Sequence, residues 1–279
     1  MPFDFAHVAV PFRMQPGLRR LAPDARHLSA LAPGGSHFLE KQSVSVSGQA
    51  VFCEAGFDAS DALASIARQA IHDGIHMPSG PAALELLLAQ DLAVLDLASG
   101  GVPWMNVCVP SGWAPEDKIG RSLLAIHAPV ADNGVLAAAW PRLAQLLTAG
   151  GAWERHVWSI SPSPRYDQHP HRHPAPTWPA SDDLEDFASR CYLRSERQTF
   201  FPVLERAGRP SRQAIFTITP SLEQLTDAVS GAQHAQRLHQ SLASMSDAVV
   251  AYKNLAPARV ALLAWLKRRM GESVVPTGG

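Results

Sequence analysis

Two apolar runs, Leu92 to Leu97 and Val102 to Val109, are separated by Ser99-Gly100-Gly101, and no other feature limits the fold as tightly. A connection this short joins neighbouring strands antiparallel, because parallel strands need a crossover of about a dozen residues or more. Later strand signals pair in the same way. Tyr192 to Phe200 and Ala214 to Thr219 flank the turn Ala207-Gly208-Arg209-Pro210, and Trp153 to Ile160 alternates enough to be another strand. Hairpins in place of regular βαβ alternation predict an α+β fold with an antiparallel sheet.

Helical periods fill the rest. Asp58 or Ser60 can cap a helix to about Ile71, with Ala62, Ile66, Ala67 and Ala70 on one face and Asp73-Gly74 as its stop. A second helix starts at Pro81 and carries Leu84, Leu87 and Leu88 towards Asp91. Gly134 to Thr148 reads as an amphipathic helix, and Asp182 to Phe187 as a short acidic turn of helix. From Pro220 to Arg269 everything has helical character. Residues 1–50 are irregular and turn-rich, with the alternation from Val44 predicting a short strand between Val44 and Phe52. No linker is visible, so a single domain over 1–279 is expected, with an irregular segment 1–50 and a helical portion 220–270.

A 46% hydrophobic, 18% charged chain excludes disorder, and a net charge of −1 gives no broad attraction to nucleic acid or to an anionic membrane. No apolar run reaches the roughly 18 residues that a membrane span needs. Cys53, Cys108 and Cys191 lie far apart with no CxxC spacing, which argues against a cysteine-built zinc or iron–sulfur site and against a disulfide framework. That usage fits a reducing cytosol, and the N-terminus shows no secretory signal, so a cytoplasmic location is expected. P-loop, GxGxxG, HExxH and GxSxG patterns are absent.

Four places stand out as candidate sites. Pro110-Ser111-Gly112 ends an apolar run and leads through Lys118 and Arg121 to His127, a histidine framed by Ile126 and Ala128-Pro129-Val130. Such a histidine is either a core residue bonded to backbone or a neutral ligand to a metal or haem iron. His169, His171 and His173 alternate in a proline-broken loop, where a solvated loop is expected. His72 and His76 have ligand spacing, but Gly74 breaks the helix between them. In Arg194-Ser195-Glu196-Arg197-Gln198-Thr199, a strand would put Arg194, Glu196 and Gln198 on one face. The run is either an edge strand with a surface ion pair or the polar wall of a ligand pocket.

Taken together, Pro110-Ser111-Gly112-Trp113, Lys118-Ile119-Gly120-Arg121 and Ile126-His127-Ala128-Pro129-Val130 resemble the signature of the haem-dependent oxidative N-demethylase α-subunit family (the DUF3445 family). Pro11-Phe12-Arg13-Met14 with Gly17-Leu18-Arg19, Leu193-Arg194 with Glu196-Arg197-Gln198-Thr199 and Phe216-Thr217-Ile218, and Met245 with Ala251-Tyr252-Lys253 extend the resemblance over nearly the whole chain. It implies a PAS-like antiparallel core with flanking helices, carrying haem b. The implied activity is O2-dependent demethylation of a small secondary amine with release of formaldehyde. Electrons would come from NADPH through a separate flavin and iron–sulfur partner protein.

By the same resemblance His127 is the expected axial ligand to the haem iron, and Lys118 and Arg121 are expected beside the haem propionates. Arg194, Glu196 and Arg197 are expected in the pocket wall for substrate and oxygen handling. One departure matters: the family's usual Arg-x-Asn-Trp reads Arg155-His156-Val157-Trp158 here. A haem-binding sensor or storage module without turnover, and a member that has lost haem for another small ligand, remain the alternatives. Assembly into a homo-oligomer stays open.

Overall fold

The computed structural model describes residues 3–14, 17–22, 24–78, 83–128, 134, 142, 145–147, 151–205 and 207–271. In chain order these form β1 (Arg19–Arg20), α1 (Ser36–Val46), β2 (Val51–Cys53), α2 (Ser60–His72), α3 (Leu84–Leu87), β3 (Asp91–Asp96), β4 (Gly101–Asn106), α4 (Leu123–His127), β5 (Trp153–Ser161) and α5 (Leu184–Ser189). Then come β6 (Tyr192–Leu204), β7 (Pro210–Gln224), α6 (Leu225–Ala228), α7 (Ala232–Ala243), α8 (Asp247–Tyr252) and α9 (Arg259–Gly271). Short 3-10 turns lie at Phe5–His7 and Pro115–Asp117.

The β3–β4 hairpin turns at Gly100, whose φ of 72° is a left-handed conformation that glycine tolerates without a Cβ clash. The seven strands stand in the order β1-β5-β6-β7-β3-β4-β2, and every neighbouring pair is antiparallel. Counted from β3, the five long strands read 2-1-5-4-3 across the sheet, with the first strand beside the last. This is the expected α+β class with a PAS-like core.

Strand alternation divides the sheet into two unlike faces. One face carries Trp158, Ile160 and Leu193 against helices α5 to α9, and Phe201, Val203 and Ile215 against α2. Its helices bury most of it, while His156, Arg197 and Thr219 stay half-exposed. The opposite face carries Ala93, Leu95, Met105, Phe200 and Phe216, covered at this end by Trp113, Ile119, Leu123 and Ile126 from the 110–127 stretch. Further along that face Arg155, Val157, Ser159, Glu196 and Ile218 remain half-exposed. This open part carries Arg155, Ser159 and Glu196 beside the apolar Val157 and Ile218.

The α2 helix follows its expected face, with Ala62, Ile66 and Ala70 buried, and Gly74 at φ 83° ends it. Other expectations need correction. Ser36–Val46 is a helix, and only Val51–Cys53 is strand, because Lys41 and Val44 form a buried helical stripe that outweighs a four-residue alternation. Residues 1–50 are thus less irregular than their turn content suggests. The β7 strand runs on through Pro220 to Gln224, so the helical portion begins at Leu225. The helix expected from Pro81 is reduced to Leu84–Leu87, and the one over 134–148 lies largely outside the described residues. Among the described residues no helix is long and apolar enough to cross a membrane.

Candidate functional site

The geometry begins at a buried ion pair. Lys41 and Asp91 are 0% and 2% exposed, and Lys41 Nζ lies 3.2 Å from Asp91 Oδ1. Lys41 also donates to the carbonyls of Leu88 (3.0 Å) and Gln90 (2.7 Å), so the charge is fully met. Asp91 in turn accepts the amides of Cys108 (3.1 Å) and Val109 (2.9 Å), just beyond the end of β4. This pins the chain as it enters Pro110-Ser111 and aims Ser111 across the sheet at β6.

There Ser111 Oγ accepts from Arg194 Nε at 2.6 Å and donates to Glu196 Oε1. Glu196 Oε2 accepts from Gln198 Nε2 at 2.7 Å, and Gln198 Oε1 accepts from Arg155 Nε at 2.7 Å. Register explains the cluster, since Arg155 on β5 stands opposite Gln198 and Val157 opposite Glu196. The half-exposed Glu196 is thus the centre of a continuous polar line. Arg155 and Lys253 both lie within electrostatic reach of its charge. Burial draws the Lys253 ammonium down to about 8, partly opposed by Glu196, and Lys253 donates to the Trp158 carbonyl at 2.8 Å.

The structure separates the three residues expected in the pocket wall. Arg194 is buried, and beyond Ser111 its guanidinium is spent on the carbonyls of Tyr166 (2.6 Å), Arg165 (3.4 Å) and Val109 (2.9 Å). It is an anchor rather than an open fork. Arg197 points to the opposite face, where Nε bonds Glu154 at 2.9 Å and a terminal nitrogen bonds the Arg26 carbonyl. Of the three, only Glu196 lies on the half-exposed surface.

His127 ends α4 beside the apolar wall of Ile119, Leu123 and Ile126. Its Nδ1 lies 2.8 Å from the Leu123 carbonyl, an oxygen that can only accept, so Nδ1 carries the proton and Nε2 the lone pair. Burial lowers its pKa, with the Arg155 and Lys118 charges adding to the effect and the Leu123 bond opposing it. Arg155 therefore stands in electrostatic contact with both Glu196 and His127. Lys118 and Arg121 lie between the Pro115–Asp117 turn and α4, Lys118 half-buried and Arg121 exposed.

The loop 163–173 is not the solvated segment expected from its composition. Asp167 and His169 are 3% and 4% exposed. Both oxygens of Glu40 accept amides from it, those of Tyr166 (3.1 Å) and Asp167 (2.6 Å). The Gln168 amide bonds the Pro110 carbonyl at 3.0 Å, and Arg172 bonds the Cys108 carbonyl at 2.9 Å. The loop is a strap over the entry to Ser111.

His173 Nε2 lies 3.0 Å from Asp167, while the other two histidines converge on Glu116, with His169 Nε2 at 3.0 Å and His171 Nδ1 at 3.2 Å. Those two and Glu116 could surround a cation by spacing alone. However, the His171 amide donates to His169 Nδ1 at 3.1 Å, which puts the neutral ring's proton on Nε2 facing Glu116. A metal ligand needs that lone pair, so the arrangement is better suited to hydrogen bonding.

Arg155, which sequence reading mentioned only beside Val157, is the main addition to the site. Its signal was available in the alternation of β5: Arg155 and Val157 share a face, and pairing with β6 sets that face beside Glu196 and Gln198.

A family model described as haem-dependent oxidative N-demethylase, alpha subunit-like, matches residues 82–263, a span that includes every member of the Arg194–Arg155 line and His127. Among solved structures, an RNA-binding light-oxygen-voltage receptor is 18% identical at a TM-score of 0.30, over 68% of this chain and 39% of that one. A LOV protein of Rhodobacter sphaeroides is 17% identical at 0.25, over 64% and 89%. A sensory box sensor histidine kinase of Vibrio cholerae is 11% identical at 0.24, over 59% and 98%.

Proposed function

The chain belongs to the haem-dependent oxidative N-demethylase, alpha subunit-like family, and on that premise we propose that it is the haem b-binding subunit of a monooxygenase for a small secondary amine. O2 is the oxidant and formaldehyde the released product. Electrons come from NADPH through a separate flavin and iron–sulfur protein.

The donor chemistry fits the group. His127 keeps its lone pair on Nε2 through the bond to Leu123, and burial favours the neutral ring that binds iron. Ile119, Ile126 and Phe216 supply an apolar wall for the macrocycle, and Lys118 and Arg121 supply cations for its carboxylates. Haem b, when bound, supplies the activation of O2, and the surrounding donors decide between binding and activation.

The remaining work falls to the chain's own side chains. Glu196 offers an acceptor to the amine N–H, and Ser111 and Gln198 hold its two oxygens in place. Arg155, tied to Gln198, brings the nearest guanidinium charge to the same surface. Val157 leaves the position across β5 from Glu196 apolar, where the family usually places Asn, and this is suited to an N-methyl group.

The observation that carries this reading is a half-buried histidine of fixed tautomer on α4, within electrostatic reach of the same Arg155 that faces the acceptor carboxylate Glu196. The test is an absorbance spectrum of the purified chain with His127→Ala beside it. A Soret band is expected in the wild type and its loss in the variant; an unaltered band in His127→Ala would remove His127 as ligand. Reduced protein given O2 and dimethylamine is expected to yield formaldehyde. A Soret band with no formaldehyde from any amine in a broad panel would favour a sensor or storage module.

A further inference from the structure

The polar line through Glu196 has a direction fixed at both ends. At one end Arg194, which can only donate, gives Nε–H to Ser111 Oγ at 2.6 Å. The hydroxyl has one hydrogen, and it goes to Glu196 Oε1. At the other end Arg155 gives Nε–H to Gln198 Oε1 at 2.7 Å, which sets the amide one way round and turns Nε2 to Glu196 Oε2. Neither end can reverse, because guanidinium does not lose its proton in a protein. Both carboxylate oxygens are therefore held as acceptors, each with one side-chain donor, on a side chain that is itself half-exposed. The neighbouring charges do not occupy them: Arg155 is turned to Gln198, and Lys253 to the Trp158 carbonyl.

We propose that Ser111 and Gln198 are positioning residues that hold Glu196 as a two-sided acceptor, so that the site selects a small ammonium by its N–H donors over a cation of equal charge that has none. This rests on the amine reading above and adds the specificity element to it. The ligand class is a primary or secondary amine, an ammonium ion at neutral pH, and a quaternary ammonium of the same charge has no N–H to give the carboxylate.

Dimethylammonium and tetramethylammonium carry the same charge, and only the first has N–H. Both are titrated calorimetrically into the full chain as wild type, Ser111→Ala, Gln198→Met and Ser111→Thr, with the Soret band recorded on the same samples. The wild type is expected to prefer dimethylammonium by about tenfold or more, the scale of one hydrogen bond to a charged group. Ser111→Ala and Gln198→Met are expected to bring that preference close to unity, while Ser111→Thr, which restores the hydroxyl, keeps it; the Soret band stays unchanged throughout. A preference equal to wild type in both Ser111→Ala and Gln198→Met overturns the positioning role, as does a wild type that binds neither compound. A wild type without a Soret band overturns the haem reading instead, and the amine preference is still readable. Should Ser111→Ala fail to fold, Gln198→Met carries the comparison.

Discussion

At the residue scale, the buried charges are fixed by what they are bonded to. Lys41 has no solvent to fall back on, and Asp91 depends on it while holding two backbone amides. Lys41→Met leaves a buried carboxylate unpaired, and a loss of about 3–5 kcal/mol in urea unfolding is expected. Adding Asp91→Asn should recover part of that loss, so the double-mutant cycle shows coupling; two additive losses would mean that the pair does not act as a unit. Arg194 makes a different prediction. Arg194→Lys keeps the charge but cannot reach Ser111 and three carbonyls at once, and a destabilisation of about 2 kcal/mol or more is expected by the same measurement. A free substrate-binding arginine would cost nothing in stability when changed to lysine.

At the element scale, strands punctuated by glycine and proline were legible, because a period of two between two turns has few competing readings. The hairpin at Gly100 and the face shared by Arg194, Glu196 and Gln198 are of this kind. The helix over Ser36–Val46 was not legible, since Val44-Ser45-Val46-Ser47 alternates locally while its stability comes from Lys41 reaching Asp91, fifty residues away in sequence. The strap was missed for a related reason: its proline- and histidine-rich composition says nothing of Glu40, which receives two of its amides. Glu40→Gln keeps the shape but turns one acceptor oxygen into a donor facing an amide. Hydrogen exchange at Tyr166, Asp167 and Gln168 is expected to accelerate by about tenfold, with the central strands unchanged. Acceleration spread evenly over β6 and β7 would instead mean that the strap and sheet open together.

At the scale of the whole molecule, three histidines held neutral by burial join segments far apart in the chain. His27, His37 and His156 are each lowered from near 6.5 to about 4, burial being the largest cause in every case. His27 bonds Thr199, His37 stacks on Tyr166 of the strap, and His156 stacks on His7 at 3.7 Å. Each is a neutral ring in the fold and a cation in the unfolded chain below pH 6.5, so the unfolded state binds more protons in that window. Stability then rises with pH from about 4 to 6.5 and is level above it. The contribution is lost as pH falls through 6.5, before the lowered carboxylates Glu85 and Glu154 begin to titrate in the unfolded chain near 4.5. Urea midpoints measured between pH 7.5 and 4.5 are expected to stay flat to about 6.5 and then decline. His27→Gln, which keeps a polar partner for Thr199 but cannot take a proton, should make that decline shallower by up to one proton's slope. A decline that begins only below pH 4.5, or one that His27→Gln leaves unchanged, would show that burial of these rings does not govern the acid limit.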